Sequence, residues 1–450
     1  MRFSPVRGGG AARTVGRHLA CLALVLTPWA VSAGWRLDAL VRLDQAIEET
    51  IAAGKCPGAA LWIEHDGLTY QRAYGQRAVE PAAEAMTMDT VFDVASLTKV
   101  VATTPAVLLL VERGQVQLDA PVRRFLPEFD GEGRGSITVR HLLTHTSGLR
   151  VGISGADFGD YAAGMAVALR QRPVGKPGTA CHYCDVNFLL LGEIVRRVAG
   201  QPLDEFAARE IFQPLAMHDT AFRPPPALRS RTAPTQRTDE GFLRGIVQDP
   251  TARRMGGVAG HAGLFTTAAD LARFARMMLN NGGLEGVRVL RPETVRQMTS
   301  VQTPGQITER RGLGWDIDSG YSRPRGLLFP LGSYGHTGWT GVLLWIDPFS
   351  RTTVILLTNR LHPADRGNLT ELYGIAGTLA ACAVEDFDFT HVRGALPFRT
   401  NFIRWGPSPT GWRLSGKARR SRRAPTARAR RRGSGKGEVR RAKGASFPAG

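Results

Sequence analysis

Lysine is scarce in this chain. Of 58 basic residues only six are lysine, and three of these fall in the last 34 residues, leaving Lys55, Lys99 and Lys176 for the rest. Arginine stays protonated in proteins, whereas a buried lysine can give up its proton. A lysine kept among 52 arginines is therefore a candidate for proton transfer. Cysteine is also scarce: five residues in 450 exclude a disulfide-dense scaffold, and no two Cys/His pairs have zinc-finger spacing. Long apolar runs are missing as well. The stretch over residues 19–29 is short and carries Pro28, which argues against a stable membrane span.

Acidic residues are outnumbered, 39 against 58, for a net charge of +19. That excess sits at the ends. Residues 413–443 hold 14 basic side chains and one acid, Glu438, while the first 33 residues hold four arginines and no acid. The body between is nearly balanced, so nothing in it points to nucleic acid as a specific partner. With 43% hydrophobic and 22% charged residues, it reads as a soluble globular protein with ample core.

Arg2, Arg7, Arg13 and Arg17 precede the 19–29 stretch, and Val31-Ser32-Ala33 supplies a small-x-small cleavage site. Residues 1–33 are thus expected to be a removed export signal, placing the mature protein in a periplasm or outside the cell. Residues 412–450, rich in Arg, Gly and Pro, are expected to form a disordered basic tail that could contact anionic surfaces. In an exported protein Cys56, Cys181, Cys184 and Cys382 either pack as thiols or include one structural disulfide.

Helical spacing covers residues 37–53. Two apolar runs, 59–65 and 68–71, are joined by Asp66-Gly67 and predict a hairpin. Residues 96–112 predict a helix so apolar in its middle that it must be buried. The centre of the chain reads as helices over 137–143, 185–198, 203–212, 268–280 and 292–298, with irregular loop over 222–238. Strands return at 341–346 and 352–358, followed by a helix over 369–384. The fold class is α+β: an antiparallel sheet flanked by helices, built from about 38–100 and 310–390, with an inserted, mostly helical part over about 101–309. Together these make one unit within residues 34–411, with a cleft between its parts.

Lys99 closes the motif Ser96-Leu97-Thr98-Lys99. Residues i and i+3 share a helix face, so a hydroxyl stands beside an amine that could activate it. Chance supplies only about 0.2 such spacings here, yet alone the pattern also fits a Ser-capped helix start with a solvated lysine. Three further elements bear on the choice. Tyr183-Cys184-Asp185 puts a phenol and a carboxylate at the mouth of a predicted helix. His336-Thr337-Gly338, followed by Trp339, leads into a predicted strand. His141 to Leu149 reads HLLTHTSGL, whose two histidines lie four apart, but no His-Glu-x-x-His pattern accompanies them. No metal and no cofactor are expected.

With these elements in this order, the chain resembles the serine β-lactamase and penicillin-binding-protein superfamily, in particular its class C-like and esterase- or D-aminopeptidase-like members. The resemblance runs from about residue 40 to 382 and includes the glycine-rich segment 256–264. It implies Ser96 as nucleophile, Lys99 as general base or proton relay with its pKa lowered by burial, and Tyr183 as a second relay. Which of Lys99 and Tyr183 is the base stays open. The backbone N–H groups of Ser96 and Trp339 would form the oxyanion hole, and Asp185, His336, Thr337 and Gly338 would face the substrate. Two positions depart from the family pattern. His336 stands where many members have Lys, removing a permanent charge toward substrate carboxylates. Asp185 stands where they have Asn, and either pairs with Lys99, raising the amine's pKa, or faces another partner. The implied activity is an acyl-enzyme serine hydrolase acting on small esters, or on amides such as D-amino-acid peptides and cell-wall fragments. A true β-lactamase and a silent peptidoglycan-binding member are the alternatives.

Overall fold

Two-residue alternation along the central strands decides where the rest of the chain packs. The computed structural model describes residues 34–149 and 152–397; the expected export signal and basic tail lie outside these. Strand Gly58–His65 turns back through Asp66 and Gly67, both at positive φ (44° and 89°), into Leu68–Ala78. Positive φ at both turn residues matches the twist of the flanking strands, which is why Asp-Gly works there. On its other side Gly58–His65 pairs antiparallel with Thr352–Thr358, Leu61 opposite Leu356. Among the described residues the sheet has eight strands in the order Arg310–Arg311, Asp316–Asp318, Tyr334–Gly338, Val342–Asp347, Thr352–Thr358, Gly58–His65, Leu68–Ala78, Glu84–Ala85. N- and C-terminal segments therefore share one antiparallel sheet, as the sequence predicts.

Leu61, Ile63, Leu343, Trp345, Val354 and Leu356 point to one face and pack against helices Leu37–Ala52 and Thr370–Ala383. Their neighbours Ala60, Leu344, Ile346, Ile355 and Leu357 point to the other face. There they join the core that holds helices Thr104–Glu112, Asp185–Ala199 and Ala268–Leu279. Each fully buried Leu or Ile contributes about 1.5–3 kcal/mol. Among the described residues no helix is long and apolar enough to cross a membrane.

Most predicted elements lie within two residues of their observed ends, and the differences have local causes. Helix Tyr161–Leu169 is almost all small or apolar, so it shows no amphipathic stripe; Asp160 caps it by accepting the Ala163 N–H. Helix Pro250–Arg254 is a single turn capped in the same way by Asp249. Strands Arg310–Arg311, Asp316–Asp318 and Tyr334–Gly338 lack hydrophobic alternation because charged residues and glycines fill them. Their backbones are nonetheless paired, and Arg311 and Asp316 are buried as a pair.

Candidate active site

The three lysines of the body separate cleanly by environment. Lys55 and Lys176 are exposed, whereas Lys99 is fully buried. A tight turn at Ala95, with φ of 44°, delivers Ser96 to the start of the helix. The Thr98 hydroxyl holds that turn by donating to Ala95 O at 2.6 Å. The next turn, Lys99–Thr103, is π-wound before the helix continues as Thr104–Glu112; Pro105 has no N–H to give the preceding turn. Lys99 Nζ then donates to Ser96 Oγ at 2.8 Å and to His261 O at 3.0 Å, and stands 2.8 Å from Asp185 Oδ1. A solvated lysine beside a capping serine is not what the chain builds.

His261 is brought there by the glycine-rich loop. A Cβ on Gly260 would lie 1.9 Å from Phe188 O, so only glycine lets this loop settle on helix Asp185–Ala199. The imidazole of His261 turns away, to 2.9 Å from Asp249 Oδ1.

Tyr183 enters from the extended residues ahead of that helix, with its hydroxyl in hydrogen-bond reach of Lys99 and Ser96. Its ring stacks on His145 at 4.5 Å and 28°, which gives the HLLTHTSGL segment a purpose. His145 Nδ1 accepts the Cys184 N–H at 3.0 Å and faces Asn187 Nδ2 at 3.3 Å, while Ser147 Oγ donates to Asn187 Oδ1 at 2.6 Å. Burial first, then Arg311 and Lys99, push His145 well below its ordinary pKa, so it buttresses as a neutral ring. No cluster of potential metal ligands occurs among the described residues, and Cys56, Cys181, Cys184 and Cys382 are separate thiols.

The expected lowering of the Lys99 pKa is corrected by the structure. Burial does push the amine down, but the charge of the Asp185 carboxylate, with Tyr183 adding a hydrogen bond and, once ionised, its own charge, outweighs it, and Lys99 is held above its ordinary value. Tyr183 is also raised, by burial and by Asp185 against the opposing pull of Lys99. At neutral pH both groups keep their protons. Asp185 thus pairs with Lys99, the first of its two anticipated roles.

His336, Thr337 and Gly338 are the last three residues of strand Tyr334–Gly338 and line a cleft of about 260 Å³ together with Ser96, Tyr183 and Trp339. Burial first, then Arg311 and Lys99, hold His336 well below its ordinary pKa, so this position carries no charge. Arg311 is the cleft residue that the motifs gave no sign of. It donates to Asp316 Oδ1 at 3.3 Å and to Gly314 O at 3.2 Å, and it reaches the cleft only because its strand lies two places from that of His336.

Residues 43–377 match the family model described as Beta-lactamase. The chain belongs to the beta-lactamase family. Among curated relatives, this beta-lactamase-family protein is 30% identical over 368 residues to an Escherichia coli K12 protein named "Putative D-alanyl-D-alanine carboxypeptidase", covering 73% of this chain and 84% of that one. Its fold is that of a penicillin-binding-protein homologue from Caulobacter crescentus, with a TM-score of 0.63, 22% identity, and coverage of 77% of this chain and 97% of the other. It is likewise that of EstCE1, described as a hydrolase with promiscuous acyltransferase activity, at a TM-score of 0.62, 20% identity, and coverage of 76% and 99%.

Proposed function

We propose that this beta-lactamase-family protein is an exported serine hydrolase that acts through an acyl-enzyme on Ser96. The single observation that carries the reading is the bond from a fully buried lysine, Lys99 Nζ, to Ser96 Oγ. A serine becomes a nucleophile when an adjacent group can take its proton, and here Lys99 and Tyr183 both adjoin it. They share one coupled set with Asp185, so activation requires that set to lose a proton, and acylation speeds up as pH rises. Ser96 Oγ attacks the substrate carbonyl, and the N–H groups of Ser96 and Trp339 receive the developing oxyanion. The set then returns the proton to the leaving group, and water releases the acyl chain.

The substrate is a small ester or a D-amino-acid amide or peptide, in keeping with the carboxypeptidase name of the curated relative. With His336 uncharged, carboxylate recognition at the third motif relies on hydrogen bonding and on the nearby Arg311 rather than on a lysine. Export rests on the basic, apolar and small-residue pattern of residues 1–33.

A fluorophosphonate probe tests the reading. Wild type should be labelled at Ser96, and Ser96→Ala should not. Turnover is then compared on p-nitrophenyl esters, D-amino-acid amides and nitrocefin. Faster turnover of nitrocefin than of the other two would make it a β-lactamase. No labelling and no turnover would leave a silent binder.

A further inference from the structure

Asp93 lies three residues before Ser96 and is buried, 2% exposed, with no side chain of opposite charge bonded to it. Burying an unpaired carboxylate is costly, and an asparagine of the same shape would avoid that cost. The contacts explain the choice. Oδ1 accepts the Ala95 N–H at 2.9 Å, and Oδ2 accepts the Gln248 N–H at 2.7 Å. Only an ionised carboxylate presents two acceptors at once, because an asparagine would aim its amide hydrogens at one of the two N–H groups.

The backbone of the same residue is bonded to the segment that follows Gly338. Asp93 O accepts the Thr340 hydroxyl at 2.7 Å. Thr340 follows Trp339, and Ala95 precedes Ser96. The two strand ends also touch directly, since a Cβ on Gly338 would lie 2.5 Å from Val94 O. We propose that Asp93 is a positioning residue that locks together the two halves of the oxyanion hole, its carboxylate fixing the Ser96 turn and its carbonyl anchoring the segment of Trp339. This rests on the reading of Ser96 as the nucleophile.

Burial raises the Asp93 pKa to about 6, against the two N–H bonds; Asp249 adds to the rise and Arg253 opposes it. Both flanking groups come from helix Pro250–Arg254, Asp249 as its cap and Arg253 within it. His261 is bonded to that Asp249, and Lys99 lies on the nucleophile helix; the Leu264–Thr266 strand beside Asp93 brings no titratable group. Protonation below about pH 6 puts a hydrogen on one oxygen, where an N–H already points. The lock should therefore loosen in acid.

The test is steady-state kinetics on a p-nitrophenyl ester across pH, after wild type has been shown to take the fluorophosphonate label at Ser96. Wild-type log kcat should gain an extra unit of slope below about pH 6. Asp93→Asn fixes the neutral state at every pH. It should lower kcat at neutral pH by about tenfold to a hundredfold, with KM within about twofold, and lack the extra slope. Thr340→Val removes only the bond to Asp93 O and should lower kcat by about tenfold in the same manner, which covers the case in which Asp93→Asn fails to fold. A wild-type kcat in Thr340→Val, or an Asp93→Asn enzyme that keeps the acid slope, overturns the proposal. An unlabelled wild type would instead sink the serine-hydrolase reading, and this proposal with it.

Discussion

Lys99 Nζ stands 2.8 Å from Asp185 Oδ1, so the amine that touches Ser96 has a carboxylate for its closest charged neighbour. In a buried site such a neighbour favours the protonated amine over the free base. The sign follows for stability too. A raised amine contributes stability that is fully present below its unfolded pKa, about 10.4, and fades as pH climbs through the higher folded value.

Asp185→Asn should move the activation of Ser96 to lower pH. Asp185 raises both Lys99 and Tyr183, so removing its charge lowers both, whichever of them is the base. The pH limb of fluorophosphonate labelling should shift down by about one unit or more, making labelling at neutral pH about tenfold faster. An unmoved limb would show that this carboxylate does not set the proton affinity of the site.

His336→Lys should restore a charge that the wild-type cleft lacks at this position. KM for D-amino-acid dipeptides with a free carboxylate should fall about tenfold relative to the change on neutral esters. In wild type the same KM should be flat between about pH 6 and about pH 8, because His336 titrates well below its ordinary value. A KM that drops as the pH falls through 7 would place the histidine's charging there instead.

Gly260→Ala should damage both fold and site. The added methyl meets Phe188 O at 1.9 Å, so the loop must lift from its helix and carry His261 O away from Lys99. Stability should fall by about 1–3 kcal/mol in urea unfolding, with labelling slowed at least about tenfold. If unfolding midpoint and labelling rate both match wild type, the loop is not pinned by that contact.

Much of this was legible in residue order. Asp66-Gly67 specified a hairpin because its φ angles suit few other pairs, and the 342–358 strands declared themselves by apolar content. Ser96 and Lys99 were legible because helix geometry fixes what three residues of separation means. Arg310–Arg311, Asp316–Asp318 and Tyr334–Gly338 were not. Their pairing comes from neighbouring strands, and they are too short and too polar to carry an alternating apolar signal. The sign of the Lys99 shift was not legible either. Burial and a counter-ion pull in opposite directions, and only the 2.8 Å separation decides between them.

By itself, then, the order of residues determined the sheet's termini-to-termini construction, the helix that carries Ser96 and Lys99, and the set of groups proposed for acyl transfer. These follow from local periodicity and fixed spacing, which act over a few residues. Tertiary structure alone decided that Lys99 is charged at rest, that His336 is not, that Arg311 lines the cleft, and that Asp93 joins Ala95 to Thr340. Each depends on groups tens to hundreds of residues apart in the chain, brought within hydrogen-bond or Coulomb range by the packed sheet and helices.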